Sequence, residues 1–489
     1  MKKYLVEEVF VTEGVPEYTF VKPPNYNEIL IDFRKPGKPV IIEGQSGTGK
    51  TCTARKVLEE LIGGSGWQYL SARQASDVEK VVAIAESRPS GTYVIDDFHR
   101  LSAETKIKLA DIAKLAAEQG AQTTMPKLVL IGINQIGASL INLVPDIAKR
   151  CGIHKISPGQ KDTIQSLVQN GCRLLNVASI DSELIFSESQ GDYWLSQNLC
   201  QVICVLNNIL ATQEVPVSPT TEISQLRATT VKRLQEAFGL AVKEFCRGKR
   251  FRPSNDPYYK LLKALSSQPS SIVDLNMLAN SDDSVRGSIN NIKERRLAIL
   301  LDSKPVCANH FYYNTETKHF AIEDPALFYY LRHLDWEALR VECGFKKDIP
   351  ATEYDVAISF AGENRDLARF ISEKLVELDV SVFYDEYFES NFLGKTWGKE
   401  LRRIFADASR NVVCILDKHH LDKLWPTFER DCFKPRVEDE AVIPIYLDDT
   451  VFPGIPTDLI GIKFHWDKNS DWQSAVIDDV VMKIIDHLD

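Results

Sequence analysis

Hydrophobic residues in the first third of this chain fall in short runs. Pro39-Val40-Ile41-Ile42, Trp67-Gln68-Tyr69-Leu70, Thr92-Tyr93-Val94-Ile95 and Lys127-Leu128-Val129-Leu130-Ile131 are separated by stretches with helical, amphipathic spacing. That alternation predicts a mostly parallel sheet with crossover helices. Ahead of it, residues 1–37 show brief alternating segments, Val9-Phe10-Val11 and Tyr18-Thr19-Phe20-Val21, then the turn residues Pro23-Pro24-Asn25. They read as a small strap. From 158 to 250 strand runs are missing. Residues Leu195 to Leu206 are apolar nearly all round, the mark of a buried helix, and a long helix is expected from about Thr221 to Arg247 after the break Val215-Pro216-Val217-Ser218-Pro219.

Residues 256–335 change character. Tyr258–Leu265, Val273–Ala279 and Ser284–Arg296 have the spacing of three short helices, and Ala298-Ile299-Leu300-Leu301 and His319-Phe320-Ala321-Ile322 read as wing strands. The order resembles a winged helix. Lys346-Lys347-Asp348-Ile349-Pro350 is a linker into a last α/β segment. The expected domains are a strap (1–37), an α/β core (38–157), a helical lid (158–252), a winged helix (253–345), a linker (346–350) and a C-terminal domain (351–489).

Length agrees, since 489 residues exceed what one core organises. No apolar run of about 18 residues suggests a membrane span, and the start lacks a signal-peptide pattern. Ten cysteines are scattered without a Cys-x-x-Cys pair, which reads as reduced thiols and a cytoplasmic protein. The net charge of −10 is concentrated in the tail: from Ala351 onward there are 16 Lys+Arg against 28 Asp+Glu. The winged-helix segment 253–347 has 12 of each, so it lacks the basic footprint that tight phosphate-backbone binding needs. A DNA-associated role is therefore not favoured.

Gly44-Gln45-Ser46-Gly47-Thr48-Gly49-Lys50-Thr51 fits the Walker A pattern between a strand and a helix. Gly44, Gly47, Thr48 and Gly49 let backbone N–H groups close round phosphates, Lys50 reaches the β- and γ-phosphates, and Thr51 binds Mg2+. In Val94-Ile95-Asp96-Asp97 an apolar strand ends in two carboxylates, Asp96 for the Mg2+ shell and Asp97 for activating water. Asn134 ends the next run, where AAA+-like and STAND ATPases place a γ-phosphate sensor. Arg150 resembles their arginine finger. No second sensor arginine is evident in the lid, which suggests a slow ATPase or a switch.

The tail opens Tyr354-Asp355-Val356-Ala357-Ile358-Ser359-Phe360-Ala361-Gly362-Glu363-Asn364-Arg365 and continues through Val382-Phe383-Tyr384-Asp385, Trp397-Gly398-Lys399-Glu400-Leu401 and Trp425-Pro426-Thr427-Phe428-Glu429. That series resembles a bacterial TIR domain, a flavodoxin-like α/β fold. The resemblance implies cleavage of NAD+ between nicotinamide and ribose, with Glu429 as the catalytic carboxylate and Trp425 four residues ahead of it. Phe360 and Ala361 resemble the pocket wall, and Asp385 and Trp397 the loop that shapes the cleft. The sequence departs from the family at Leu416-Asp417-Lys418-His419-His420, where relatives show a Ser, and at Pro426, which is tolerable only in a first helical turn.

Taken together the chain resembles a STAND-type, AAA+-like P-loop ATPase with a TIR effector. The resemblance implies ATP and Mg2+ as cofactors, NAD+ as substrate, self-association into an active oligomer, an activating trigger and a role in defence against phage. Two other readings stand beside it: a non-catalytic TIR scaffold, and a DNA-associated ATPase similar to origin-recognition proteins.

Overall fold

The computed structural model of the chain describes residues 2–45, 47–62, 66–132, 150–322, 324–347, 352–385, 397–421, 424–453, 455–456, 458–466 and 473–488. Contacts divide it into two compact units, Met1–Ala237 with Glu323–His333, and Phe238–Ile322 with Leu334–Asp489.

The first unit is built on strands β1 (Val40–Glu43), β2 (Trp67–Ser71), β3 (Thr92–Asp96), β4 (Lys127–Gly132) and β5 (Gly152–Lys155). All pair in parallel, in the order β2-β3-β4-β1-β5. Alternate residues serve two cores. Ile41, Ile95, Leu128 and Leu130 pack with Leu109 and Ile112 of helix Ala103–Gln119, while Val40, Ile42, Val94, Val129 and Ile131 pack with Ile29, Phe33 and Val57. Burial on both faces explains why the strands read as continuous apolar runs. Strand β5 was not among the expected runs. Its apolar Ile153 is 38% exposed, so pairing to β1 rather than burial identifies it.

The strap contains two helices, Val6–Val9 and Tyr26–Arg34, so the alternation at Val9-Phe10-Val11 does not form a strand. Val9 and Phe10 are buried. In the lid, helices Lys161–Leu175, Ser182–Ser189 and Tyr193–Leu206 follow one another, the last buried along most of its length. Strap and lid are stitched together: Trp194 Nε1 donates to the Thr12 carbonyl at 2.7 Å and Gln197 Nε2 to Thr19 Oγ1 at 2.7 Å.

In the second unit, helices Pro257–Ser266, Leu275–Ser281 and Asp283–Lys293 accompany an antiparallel sheet of β6 (Ile272–Asp274), which lies between the first two helices where Val273 was expected to be helical, with β8 (His319–Ile322) and β7 (Phe311–Tyr313), in the order β6-β8-β7. Another expectation fails. Ala298–Leu301 is not a wing strand but part of helix Arg296–Ser303. A short apolar run fits either element. Here Leu297, Leu300 and Leu301 are buried at helical spacing, and Leu and Ala favour helix. The strand preceding β8 is β7.

The last domain is a sheet of β9 (Tyr354–Ser359), β10 (Val382–Phe383), β11 (Ser409–Leu416), β12 (Val442–Tyr446) and β13 (Ile462–Lys463), all parallel, in the order β10-β9-β11-β12-β13. Counted within the domain this is 2-1-3-4-5, the flavodoxin-like order, whose switch point lies between the first and third strands. Val356, Ile358, Val413 and Ile415 bury against helices Arg365–Glu377 and Gln473–Leu488, and Ala357, Val412, Cys414 and Leu416 bury on the other face.

At the opposite, amino-terminal edge this sheet meets the last lid residues and the winged helix through buried charges. Arg252 Nη1 donates to Asp355 Oδ2 at 2.9 Å, and Arg296 Nε to Asp379 Oδ1 at 3.2 Å. Asn255 and the Ser381 amide also donate to Asp355, and the Tyr258 hydroxyl and Arg250 amide to Asp379. The helix Asp283–Lys293 lies against the same edge: Asn291 Nδ2 donates to the Glu353 carbonyl, and a Cβ on Gly287 would crowd Glu353.

Candidate functional site

The glycine-rich loop leaves β1 and enters helix Lys50–Ile62. Its glycines are needed for space as well as conformation. Gly47 (φ 74°) and Gly49 (φ 86°) are left-handed, and a Cβ on Gly44 would strike the Ile156 carbonyl. Lys50 Nζ donates to the Gln45 carbonyl at 2.6 Å, and Thr48 Oγ1 to the same oxygen at 2.9 Å. Strand β3 brings Asp96 next to Thr51, whose Oγ1 donates to Asp96 Oδ2 at 2.7 Å. A hydroxyl and a carboxylate oxygen at this separation suit a hard, oxygen-seeking cation such as Mg2+.

Two further donors complete Asp96: Tyr69 OH at 2.7 Å and the Asp97 amide at 2.8 Å. Burial, then the Asp96 charge, pushes the Tyr69 phenol up, so it stays a donor. Asp97 sits in the left-handed region (φ 55°), with Arg73 bidentate on its carboxylate at 2.7 and 3.1 Å. Sequence reasoning missed both Tyr69 and Arg73, which carry no motif. These residues line a cavity of about 410 Å³ together with Val11 and Pro16 from the strap and Tyr193, Trp194 and Gln197 from the lid.

A buried carboxylate backs the loop. Asp192 caps helix Tyr193–Leu206 by accepting from the Leu195 amide at 2.6 Å, and a Cβ on Gly47 would run into it. Burial pushes its carboxyl up to about 7. Of the other expected nucleotide residues, Asn134 lies outside the described residues. Arg150 is exposed and pairs with Glu118 at 3.0 Å.

In the last domain, Ser359 ends β9 opposite Cys414 of β11, at the switch point of the sheet. Helix Leu424–Phe433 carries Glu429 to the same place: Ser359 Oγ donates to Glu429 Oε2 at 2.6 Å. The residue keeps partial exposure while its carboxyl lies beneath the surface. Burial pushes that carboxyl up to about 8; the Ser359 hydrogen bond opposes the rise and the Asp385 charge adds to it.

Phe360 and the buried Ala361 follow β9 directly, and Asp385 follows β10, held by Arg365 at 3.0 and 3.1 Å. The Arg365 guanidinium lies 5.2 Å from the Phe360 ring centre. Trp397 and Trp425 lie in the first turns of helices Trp397–Arg403 and Leu424–Phe433; the described side chains do not include theirs. Pro426 is the third residue of its helix, where no intrahelical partner for an N–H exists.

In the segment Leu416–His420, Asp417 accepts from the His419 and His420 amides at 3.0 and 3.1 Å, and Asn364 Nδ2 donates to its other oxygen at 2.9 Å. This fixes His420, which is fully buried with Nε2 3.3 Å from Ser359 Oγ. Neither Ser359 nor His420 was singled out from the sequence. The switch-point position of Ser359 becomes visible only once the strand order is known.

The two sites define a P-loop ATPase fold with a helical lid and winged helix, joined to a flavodoxin-like TIR domain. Comparison with known proteins agrees on the second part: residues 356–478 match the TIR domain family. Over 106 residues the chain is 38% identical to the 3′ cyclic ADP-D-ribose synthase AaTIR of Aquimarina amphilecti, a match covering 21% of this chain and 32% of that protein. The chain thus spans about a third of the length of this curated relative. Among solved structures, it is similar to the Walker-type ATPase PABY2304 of Pyrococcus abyssi (13% identity, TM-score 0.41, covering 66% of this chain and 99% of that one). It is also similar to the ORC1 protein of Aeropyrum pernix in complex with DNA (13% identity, TM-score 0.39, covering 69% and 98%).

Proposed function

We propose that this protein is an ATP-regulated TIR effector that cleaves NAD+ at the bond between nicotinamide and ribose. The observation that carries the reading is Glu429, half-buried with its carboxyl beneath the surface at the switch point of the TIR sheet and bonded to Ser359. In the reaction nicotinamide departs with the electron pair of the ribosyl C–N bond. The ribose C1′ gains oxocarbenium character, which an adjacent carboxylate stabilises. Water then adds to C1′ and releases a proton, giving ADP-ribose; attack by a hydroxyl of the same molecule gives a cyclic isomer. Phe360, Ala361, Asp385, Trp397 and Trp425 supply the walls.

In the ATPase, Thr51 and Asp96 would hold Mg2+, and Gly44, Gly47, Thr48, Gly49 and Lys50 the phosphates. Asn134 and Arg150 would respond to the γ-phosphate. Bound Mg2+ supplies charge neutralisation for the phosphates. Asp97, tied to Arg73, would orient water once that pair opens. ATP favours an oligomer by binding one conformation better than another. An unidentified trigger starts assembly, and NAD+ depletion serves defence against phage. The winged helix acts within the protein rather than on DNA, consistent with its balanced charge and with helix Asp283–Lys293 being packed on Glu353.

The test is NAD+ consumption by the full chain at rising concentration, with and without ATP–Mg2+, beside Glu429→Ala and Lys50→Ala. Concentration-dependent loss of NAD+ that vanishes in the glutamate variant supports the reading, and chromatography of the products separates linear from cyclic. Full activity in Glu429→Ala would sink it. A salt-dependent shift of duplex DNA by the protein would favour the DNA-associated alternative.

A further inference from the structure

Glu429 presents a problem for the reaction proposed above. Stabilising a developing cation needs a carboxylate, yet burial favours the neutral acid. Among the described residues, one hydrogen-bond donor reaches it, the Ser359 hydroxyl. A hydroxyl has a single proton, which can point at Glu429 or elsewhere, and its direction is set by what the oxygen itself accepts.

Beside that oxygen is His420 Nε2 at 3.3 Å, which also lies 3.7 Å from Cys414 Sγ. Among the described residues, the other ring nitrogen, Nδ1, is buried without a hydrogen bond to any other residue. A buried N–H without a partner is rare and costs more than an unfilled lone pair. The ring therefore carries its proton on Nε2 and leaves Nδ1 bare. Burial, with the Arg430 charge adding and a contact to the residue's own backbone opposing, holds the imidazole down at about 4, so it is neutral at ordinary pH. The ring is fixed by the Asp417 cap on its own amide and by an edge contact with Phe452, centroids 5.8 Å apart.

We propose that His420 is a positioning residue for NAD+ cleavage. By donating through Nε2 to Ser359 Oγ, it turns the serine proton onto Glu429 and favours the ionised carboxylate. The chain of donors runs one way, from imidazole to hydroxyl to carboxylate. Other charged or titratable groups act on Glu429 from the surrounding elements. Asp385 beyond β10 opposes ionisation and is itself held by Arg365. On β11 Cys414 is a thiol that burial keeps protonated. Arg430 and Cys432 lie on the helix of Glu429, and Arg402 acts on Cys432 from helix Trp397–Arg403. Cys414 is also hydrogen-bonded to Ser359, so the thiol and His420 Nε2 both stand beside the serine oxygen.

The inference rests on the catalytic reading of Glu429, and two readouts on the full chain keep them apart. The first is the pH dependence of NAD+ cleavage in the wild type, Ser359→Ala, His420→Phe and His420→Gln. One hydrogen bond to a charged group corresponds to about one to two pH units. The acidic limb is expected to move up by about that much in Ser359→Ala and His420→Phe, and to return towards wild type in His420→Gln, whose amide can donate. The second readout needs no substrate: the Glu429 carboxyl band in infrared difference spectra against Glu429→Gln, followed across pH. Its midpoint should move in the same variants. A His420→Phe protein that is slower equally at all pH, or a carboxyl midpoint that does not move, overturns the positioning role. A midpoint that moves in a protein that never cleaves NAD+ overturns the catalytic reading instead.

Discussion

Two parallel sheets in this chain each present acidic residues near the carboxyl ends of their strands, and they treat them in opposite ways. In the nucleotide unit, Asp96 receives a threonine hydroxyl, a tyrosine hydroxyl and a backbone amide, and Asp97 receives both arms of Arg73. In the TIR domain, the described donor on the Glu429 side chain is one serine hydroxyl. Donors replace the water a carboxylate loses on burial. The first site surrounds its acids with several donors. The second holds its acid close to neutral, so reactivity there depends on a proton leaving.

The comparison can be broken at several points, and the largest effect lies where neither site is. Arg252→Met should strand Asp355 beneath the surface and lower the stability of the second unit by about 3–5 kcal/mol, read as an earlier thermal transition of the full chain; a negligible change would show that water reaches this edge. Glu429→Gln is next: a loss of NAD+ cleavage on the order of 10²–10³-fold, with ATP binding unchanged. The same variant sharpens the electrostatic contrast. The folded-state carboxyl titrates near 8 against an ordinary value of 4.5. Between those limits the native form holds a proton that the unfolded chain has released, so stability is lost as pH rises through the window. Melting at pH 5 and pH 8 should therefore show a smaller fall for Glu429→Gln than for wild type. Lys50→Ala removes a charged partner of the phosphates and should weaken nucleotide binding by roughly 10- to 100-fold, measured by calorimetry. The smallest change is expected from Arg73→Ala. Its partly exposed pair with Asp97 contributes about 1 kcal/mol or less, and a larger shift in melting would mean the pair is structural.

Much of this was legible in the chain because its cues are local. The apolar runs of β1 to β4 are contiguous, and the phosphate loop and the Asp96-Asp97 pair are read within a few residues. The elements misread were those whose cues are not local. Ala298–Leu301 has too few residues for periodicity to separate helix from strand, and β5 is identified by its partner rather than by burial. In the TIR site the series from Phe360 to Glu429 marked the region, but Ser359 and His420 did not stand out. Their relation spans 61 residues and two elements and depends on a strand order that pairing alone reveals. Tyr69 and Arg73 were hidden for the same reason, each reaching its acid across neighbouring strands.

The charged edge of the TIR sheet also bears on how portable this domain is. The matched family segment begins at 356, one residue after Asp355, and stops at 478, before the buried Ile484, Ile485 and Leu488 that close its core. Asp355 and Asp379 find their counter-charges on Arg252 and Arg296, outside that segment. A graft of the matched residues alone would carry Asp379 into its new host without the Arg296 that pairs with it here.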